Sequence, residues 1–146
     1  KGYLNREDAT AETITDGWLH TGDIAYLDED GFIYLVDRAK DMVLRGGENV
    51  YCAEVENALF SHSEVIECIA FSVPDERLGE VVGAAIYMSE GSNSKASELR
   101  EHCGNLLATY KIPQYIWFVD EPLPKNANGK FMKRAVKEKL DIENAA

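Results

Sequence analysis

Two almost uninterrupted apolar runs, Val65 to Val73 and Val81 to Met88, bracket the loop Pro74-Asp75-Glu76-Arg77-Leu78-Gly79. Runs that do not alternate apolar with polar belong to strands covered on both faces. They predict two buried neighbouring strands at the centre of a sheet, and the rest of the chain must then supply cover. Val55 and Leu59 within Ala53 to Phe60 stand at helical spacing. Leu99, Cys103, Leu106 and Tyr110 form a one-sided stripe on a second helix, with Ser94 as its cap and Gly104 inside it at a cost of about 1 kcal/mol relative to Ala. Met42 to Leu44 reads as a short strand stopped by Arg45-Gly46-Gly47, and Tyr115 to Val119 as a third strand. Met132, Ala135, Val136 and Leu140 give a last amphipathic helix after the loop Glu121 to Lys130. Alternating helices and strands predict an α/β (α+β) fold, a small three-stranded sheet layered with helices.

A β-hairpin precedes this unit. Ile24 to Leu27 and Phe32 to Val36 are rich in aromatic and β-branched residues, and Asp28-Glu29-Asp30-Gly31 supplies the reversal between them. Residues 1 to 16 are polar and read as a surface segment leading into Gly17-Trp18-Leu19. Asp37-Arg38-Ala39-Lys40-Asp41 puts charge between two apolar stretches, which marks an exposed boundary. No initiator Met opens the chain, so the expectation is a processed start or a piece of a longer protein.

Composition removes several function classes. A net charge of −11 on 146 residues disfavours a nucleic-acid-coating surface. The longest strongly apolar run, Val81 to Met88, falls far short of the roughly 20 residues a membrane span requires. Cys52, Cys68 and Cys103 are too scattered for a disulfide framework or a metal site, and they fit a reducing, cytoplasmic setting. His20, His62 and His102 have no metal partner at a sensible spacing, so structural roles are expected. The aromatics, Trp18 and Trp117 included, read as packing residues.

Charge is unevenly spread. Lys125, Lys130, Lys133, Arg134, Lys137 and Lys139 face one acid, Glu138, within 125–139, a basic end on an acidic chain that invites an anionic ligand. The plainer reading is a solvated helix face, with lysines favouring the helix C-terminus. The loop Pro124-Lys125-Asn126-Ala127-Asn128-Gly129-Lys130 weighs against it, because Lys130 would sit on a mobile, exposed tip able to carry a point charge to a developing anion. It is not a phosphate-cradling P-loop, since Pro124 and Phe131 stand where that motif needs Gly and Ser or Thr. Asp23, after Thr21-Gly22, is either a turn residue or a carboxylate able to accept from two adjacent hydroxyls, as on a ribose. Asp37-Arg38 with Lys40 reads as a surface ion pair of roughly 0 to 1 kcal/mol.

Taken in order, Gly17-Trp18-Leu19-His20-Thr21-Gly22-Asp23, Asp37-Arg38-Ala39-Lys40-Asp41 with Arg45-Gly46-Gly47-Glu48-Asn49, and Pro124 to Lys130 together resemble the end of an adenylate-forming enzyme. That superfamily holds acyl-CoA synthetases, peptide-synthetase adenylation domains and beetle luciferases, and the resemblance runs from Gly2 to about Leu140. It implies that residues 1–39 are the last stretch of a large N-terminal adenylation domain and 40–146 a small mobile lid. It further implies ATP, CoA and a carboxylic acid, fatty or otherwise hydrophobic, as substrates. Mg²⁺ would be held by the N-terminal domain.

By the same resemblance Asp23 and Arg38 would bind the ribose of ATP or AMP, Lys130 would be the catalytic lysine of adenylation, and Lys40 would be the hinge. Gly46 and Gly47 would bring backbone close to the thiol-carrying arm of CoA. Leu44 departs from the luciferases, which carry lysine there, and Cys52 stands where acyl-CoA synthetases commonly have proline. The leading expectation is the lid-bearing part of an acyl-CoA synthetase, inactive when isolated from its N-terminal domain. Loading of a carrier protein, or a non-catalytic interaction domain of the same fold, are the alternatives.

Overall fold

A computed structural model describes residues 1–146. The chain divides into two compact units, Lys1–Lys40 and Asp41–Ala146.

In the first unit, helix α1 (Glu7–Thr13) is followed by two short paired strands, β1 (Ile14–Thr15) and β2 (Trp18–Leu19). Asp16 and Gly17 between them have φ of 50° and 81°, the two successive left-handed residues a tight hairpin needs. Strands β3 (Asp23–Leu27) and β4 (Ile33–Arg38) form the expected second hairpin. Its turn is organised by Asp28, whose Oδ1 accepts from the N–H of Asp30 at 3.0 Å and of Phe32 at 2.9 Å. Those bonds, Phe32 foremost, hold its carboxyl below the usual range. This unit has no buried residue: Trp18 is 76% exposed, so it is not the packing residue expected, and Leu27, Phe32, Ile33 and Leu35 are exposed as well.

The second unit contains β5 (Val43–Arg45), β6 (Glu48–Val50), α2 (Cys52–Phe60), β7 (Val65–Asp75), β8 (Gly79–Met88), α3 (Ala96–Gly104), β9 (Tyr115–Val119) and α4 (Lys133–Lys137). The mixed α/β class agrees with the sequence, but the sheet has five strands rather than three, in the order β6-β5-β8-β7 with β9 also on β8. Strand β8 is central, and β7 is an edge strand rather than an interior one. Strand β9 pairs parallel to β8, and α3 lies in the long crossover a parallel pair demands.

Burial on both faces explains the unbroken apolar runs. On one face Val55 and Leu59 of α2 and Leu99 and Cys103 of α3 cluster with Val43, Val82, Ile86 and Ile116. On the other, Ile69, Phe71, Val73, Val81 and Trp117 are covered by Leu123 and by Val136 of α4. Trp117 also donates its indole N–H to the Asp141 carbonyl at 2.7 Å.

Two helices are shorter than expected. Helix α3 ends at Gly104, which is its last residue rather than an interior one, and Leu106 is exposed beyond it. The Asn105 backbone and side chain both donate to the Glu101 carbonyl and close the helix there. Ser94 does not cap α3: its hydroxyl, with that of Ser92, donates to the Glu64 carboxylate, while Glu98 closes back on the Lys95 N–H at 3.0 Å. Helix α4 spans five residues, and Leu140 lies past its end.

Candidate functional site

Lys130 sits on a built hairpin, not a mobile tip. Lys125 pairs antiparallel with Phe131, and the Met132 N–H donates to the Pro124 carbonyl at 2.8 Å. Asn126 organises the interior. Its side-chain Oδ1 accepts from the N–H of Asn128 and of Lys130, each at 3.0 Å, while its backbone bonds the Lys130 carbonyl and the Gly129 N–H. Gly129 has φ of 77°, a conformation an L side chain resists. An Asx turn thus replaces the flexibility that composition suggested.

The legs of this hairpin are tied down by charge. Lys125 Nζ lies 2.6 Å from Glu67 Oε1, and Leu123 N–H donates to Glu67 Oε2 at 2.7 Å. Burial pushes the Glu67 carboxyl up, but Lys125 and the Leu123 N–H outweigh it and hold the group below its ordinary value. Lys133 Nζ reaches Glu56 Oε1 at 2.8 Å and the Ala70 carbonyl at 3.2 Å. Burial lowers the Lys133 ammonium, and the Glu56 carboxylate more than restores it. Arg134 pairs with Glu138. Half of the basic stretch is therefore neutralised internally, and Lys130 remains as an exposed ammonium without an ion pair.

Gly46 and Gly47, expected to stop a strand and to present backbone to the CoA arm, form the two-residue turn joining β5 to β6, with φ of 58° and 93°. Gly46 N–H donates to the Leu78 carbonyl at 2.8 Å, and Leu44 N–H donates to Glu80 Oε2 at 2.9 Å. A Cβ at Gly46 would approach the Leu78 side chain to 3.1 Å, whereas at Gly47 it would meet nothing. This turn is a rigid ledge with exposed backbone.

In the first unit, Asp23 and Arg38 are direct partners across β3 and β4, with Arg38 Nε 3.3 Å from Asp23 Oδ1. Arg38 was expected to pair beside Asp37. Asp37 instead accepts from the Arg38 backbone N–H, and Arg38 also donates to the Thr21 carbonyl at 3.4 Å. Lys40 is exposed in the turn after β4, at the end of the first unit. The structure thus joins Asp23 to Arg38, and places Lys130 and the Gly46-Gly47 turn on separate hairpins of the second unit.

No cluster of three or more His, Cys, Asp or Glu could hold a metal ion. His62 and His102 meet edge-on at 5.2 Å, and a His102 ring nitrogen lies 2.8 Å from the Ser61 hydroxyl, a helix-end packing role. No helix is long and apolar enough to cross a membrane. Sequence reasoning missed Glu67, Glu56 and Asn126. Only Asn126 left a signal, as an Asn three residues before the glycine of a turn.

The family model for the AMP-binding enzyme C-terminal domain matches residues 54–130, just over half of the chain, and the chain belongs to that family, within the adenylate-forming acyl-CoA ligases. Among individual relatives, it is 46% identical to a 2-succinylbenzoate–CoA ligase of Geobacillus sp. (strain WCH70) over 147 residues, covering 100% of this chain and 30% of that protein. The o-succinylbenzoate CoA synthetase (MenE) of Bacillus subtilis, solved with the acyl-adenylate intermediate OSB-AMP, superposes with a TM-score of 0.85 at 40% identity, over 97% of this chain and 28% of that one. A Mycobacterium tuberculosis fatty acyl CoA synthetase gives 0.69 at 39% identity, over 95% and 27%. The chain thus spans under a third of the length of the relatives it matches.

Proposed function

We propose that this chain is the C-terminal part of an AMP-forming acid–CoA ligase acting on 2-succinylbenzoate or a closely similar aromatic dicarboxylic acid. The observation that carries the reading is Lys130, an unpaired ammonium held on a rigid hairpin whose neighbouring cations are already neutralised. In the first half-reaction the acid's carboxylate oxygen attacks the α-phosphorus of ATP, and pyrophosphate leaves with the cleaved P–O bond electrons. Lys130 stabilises the charge gathering on the carboxylate and phosphoryl oxygens by position alone, without covalent chemistry. In the second, the thiol of CoA attacks the acyl carbon, loses its proton and expels AMP.

Asp23, oriented by Arg38, accepts from the ribose hydroxyls. Its Oδ1 is engaged by Arg38, which leaves the other oxygen as the principal acceptor. Lys40 is the pivot, a reading supported by its exposed turn at the boundary between compact units. The Gly46-Gly47 ledge lies against the CoA arm. Mg²⁺ would be held by the larger N-terminal domain, as the resemblance to adenylate-forming enzymes implies. The exposed apolar side chains of residues 1–40 support the reading of that unit as the edge of a larger domain. The acid is argued from the curated relatives named, which are 2-succinylbenzoate–CoA ligases, and from the higher TM-score of the o-succinylbenzoate CoA synthetase than of the fatty acyl CoA synthetase, so it takes the place of the fatty acid expected from sequence.

The test is acid-dependent ATP–pyrophosphate exchange by the full-length parent. Exchange with 2-succinylbenzoate, lowered about a hundredfold or more by Lys130→Ala, is expected. Equal exchange by the alanine variant overturns the role of Lys130, and exchange with fatty acids alone overturns the choice of acid.

A further inference from the structure

We propose that Glu67 is a positioning residue for adenylation, holding the Lys130 hairpin at its base through Lys125 and the Leu123 backbone. The inference rests on the reading of Lys130 as the adenylation lysine. Glu67 lies on β7, outside the hairpin and far from it in sequence, yet both carboxylate oxygens are committed to it. Oε1 takes Lys125 Nζ at 2.6 Å, and Oε2 takes Leu123 N–H at 2.7 Å. The Glu67 side chain is only 14% exposed, in contrast to Arg134 and Glu138, whose pair stands at 93% and 63% in solvent. Lys125 Nζ also lies 4.9 Å from the centre of the Phe131 ring, so the same cation grips both legs of the hairpin.

The geometry divides the labour. Asn126 shapes the turn and Glu67 aims it, because Asn126 bonds only within the loop whereas Glu67 ties the loop to the sheet. A charge that works by placement loses rate steeply when displaced, by about a hundredfold for a shift on the order of 1 Å. Loosening the base of the hairpin therefore slows the step that uses Lys130. It spares thiol transfer, in which, under the proposed function, Lys130 takes no part and the Gly46-Gly47 ledge lies against the CoA arm.

The experiment measures both half-reactions in the full-length parent: 2-succinylbenzoate-dependent ATP–pyrophosphate exchange, and CoA-dependent AMP release from preformed acyl-adenylate. Glu67→Gln keeps an acceptor for the Leu123 N–H but removes the charge facing Lys125. Lys125→Met removes the other partner at a half-exposed site and carries the test should Glu67→Gln fail to fold. Each is expected to lower exchange at least tenfold with AMP release within twofold of wild type, and the double variant to be no worse than the weaker single. Exchange within twofold of wild type, equal losses in both half-reactions, or additive losses overturn the proposal. If Lys130→Ala loses exchange and Glu67→Gln does not, only the positioning role falls; if Lys130→Ala keeps it, the reading of Lys130 falls too.

Discussion

Burial pushes the Cys68 thiol up to about 12, with the Glu56 carboxylate adding to the effect, and pushes Cys103 up to about 11. A thiol held neutral in the fold stabilises it fully below the unfolded value near 9, and that contribution disappears as pH rises through the folded values. The thiolate is the reactive form. Native protein is therefore expected to resist iodoacetamide at pH 7.5, with Cys52, Cys68 and Cys103 all alkylated once urea unfolds it; mass spectrometry reads the difference, and rapid native alkylation contradicts the burial. At this scale the sequence announced residue types better than partners. Asp23, Arg38 and Lys130 could be singled out, but the Asp23–Arg38 pair depends on the register of β3 and β4, which slips by one residue between Ile24 and Ala25. Glu67 was silent because its partners lie more than fifty residues away.

Strands β7 and β8 were legible because two-sided burial leaves an unbroken apolar signature. The short hairpins were not: β1, β2 and β6 have two or three residues each, too few to show any periodicity. Their turns are not legible as turns either: Asp16-Gly17 lies at the end of a polar surface segment, and Gly46-Gly47 reads in sequence as the stop of a strand. The apolar stripe overran α3 because Leu106 continues its spacing after the backbone has already turned. Gly83 in β8 shows packing that no pattern reveals. A Cβ there would lie 2.6 Å from Val73 Cγ2 and 2.9 Å from the Trp117 ring. Gly83→Ala is expected to destabilise the fold by about 1–3 kcal/mol in urea titration, because a Cβ there has no room in the sheet packing. A stability unchanged by Gly83→Ala would mean that the Phe71–Trp117 layer yields freely.

The boundary between the two compact units falls at Lys40 and Asp41, the position the proposed pivot requires. The 146-residue chain alone is expected to release no carboxylate-dependent AMP, since its relatives are more than three times as long. Detectable acyl-adenylate from the isolated chain would sink that expectation.

The edge strand β7 carries a further consequence. At Ala70 its outward N–H donates to Glu56 Oε1 at 2.8 Å, and its carbonyl accepts from Lys133, so side chains from α2 and α4, on opposite faces, close over the strand's open side. A bare edge there would invite another strand to add itself and start an aggregate. With the Ala70 N–H and carbonyl both taken up by an ion pair that reaches across from the two covering layers, that stretch of the edge offers a passing strand nothing to pair with.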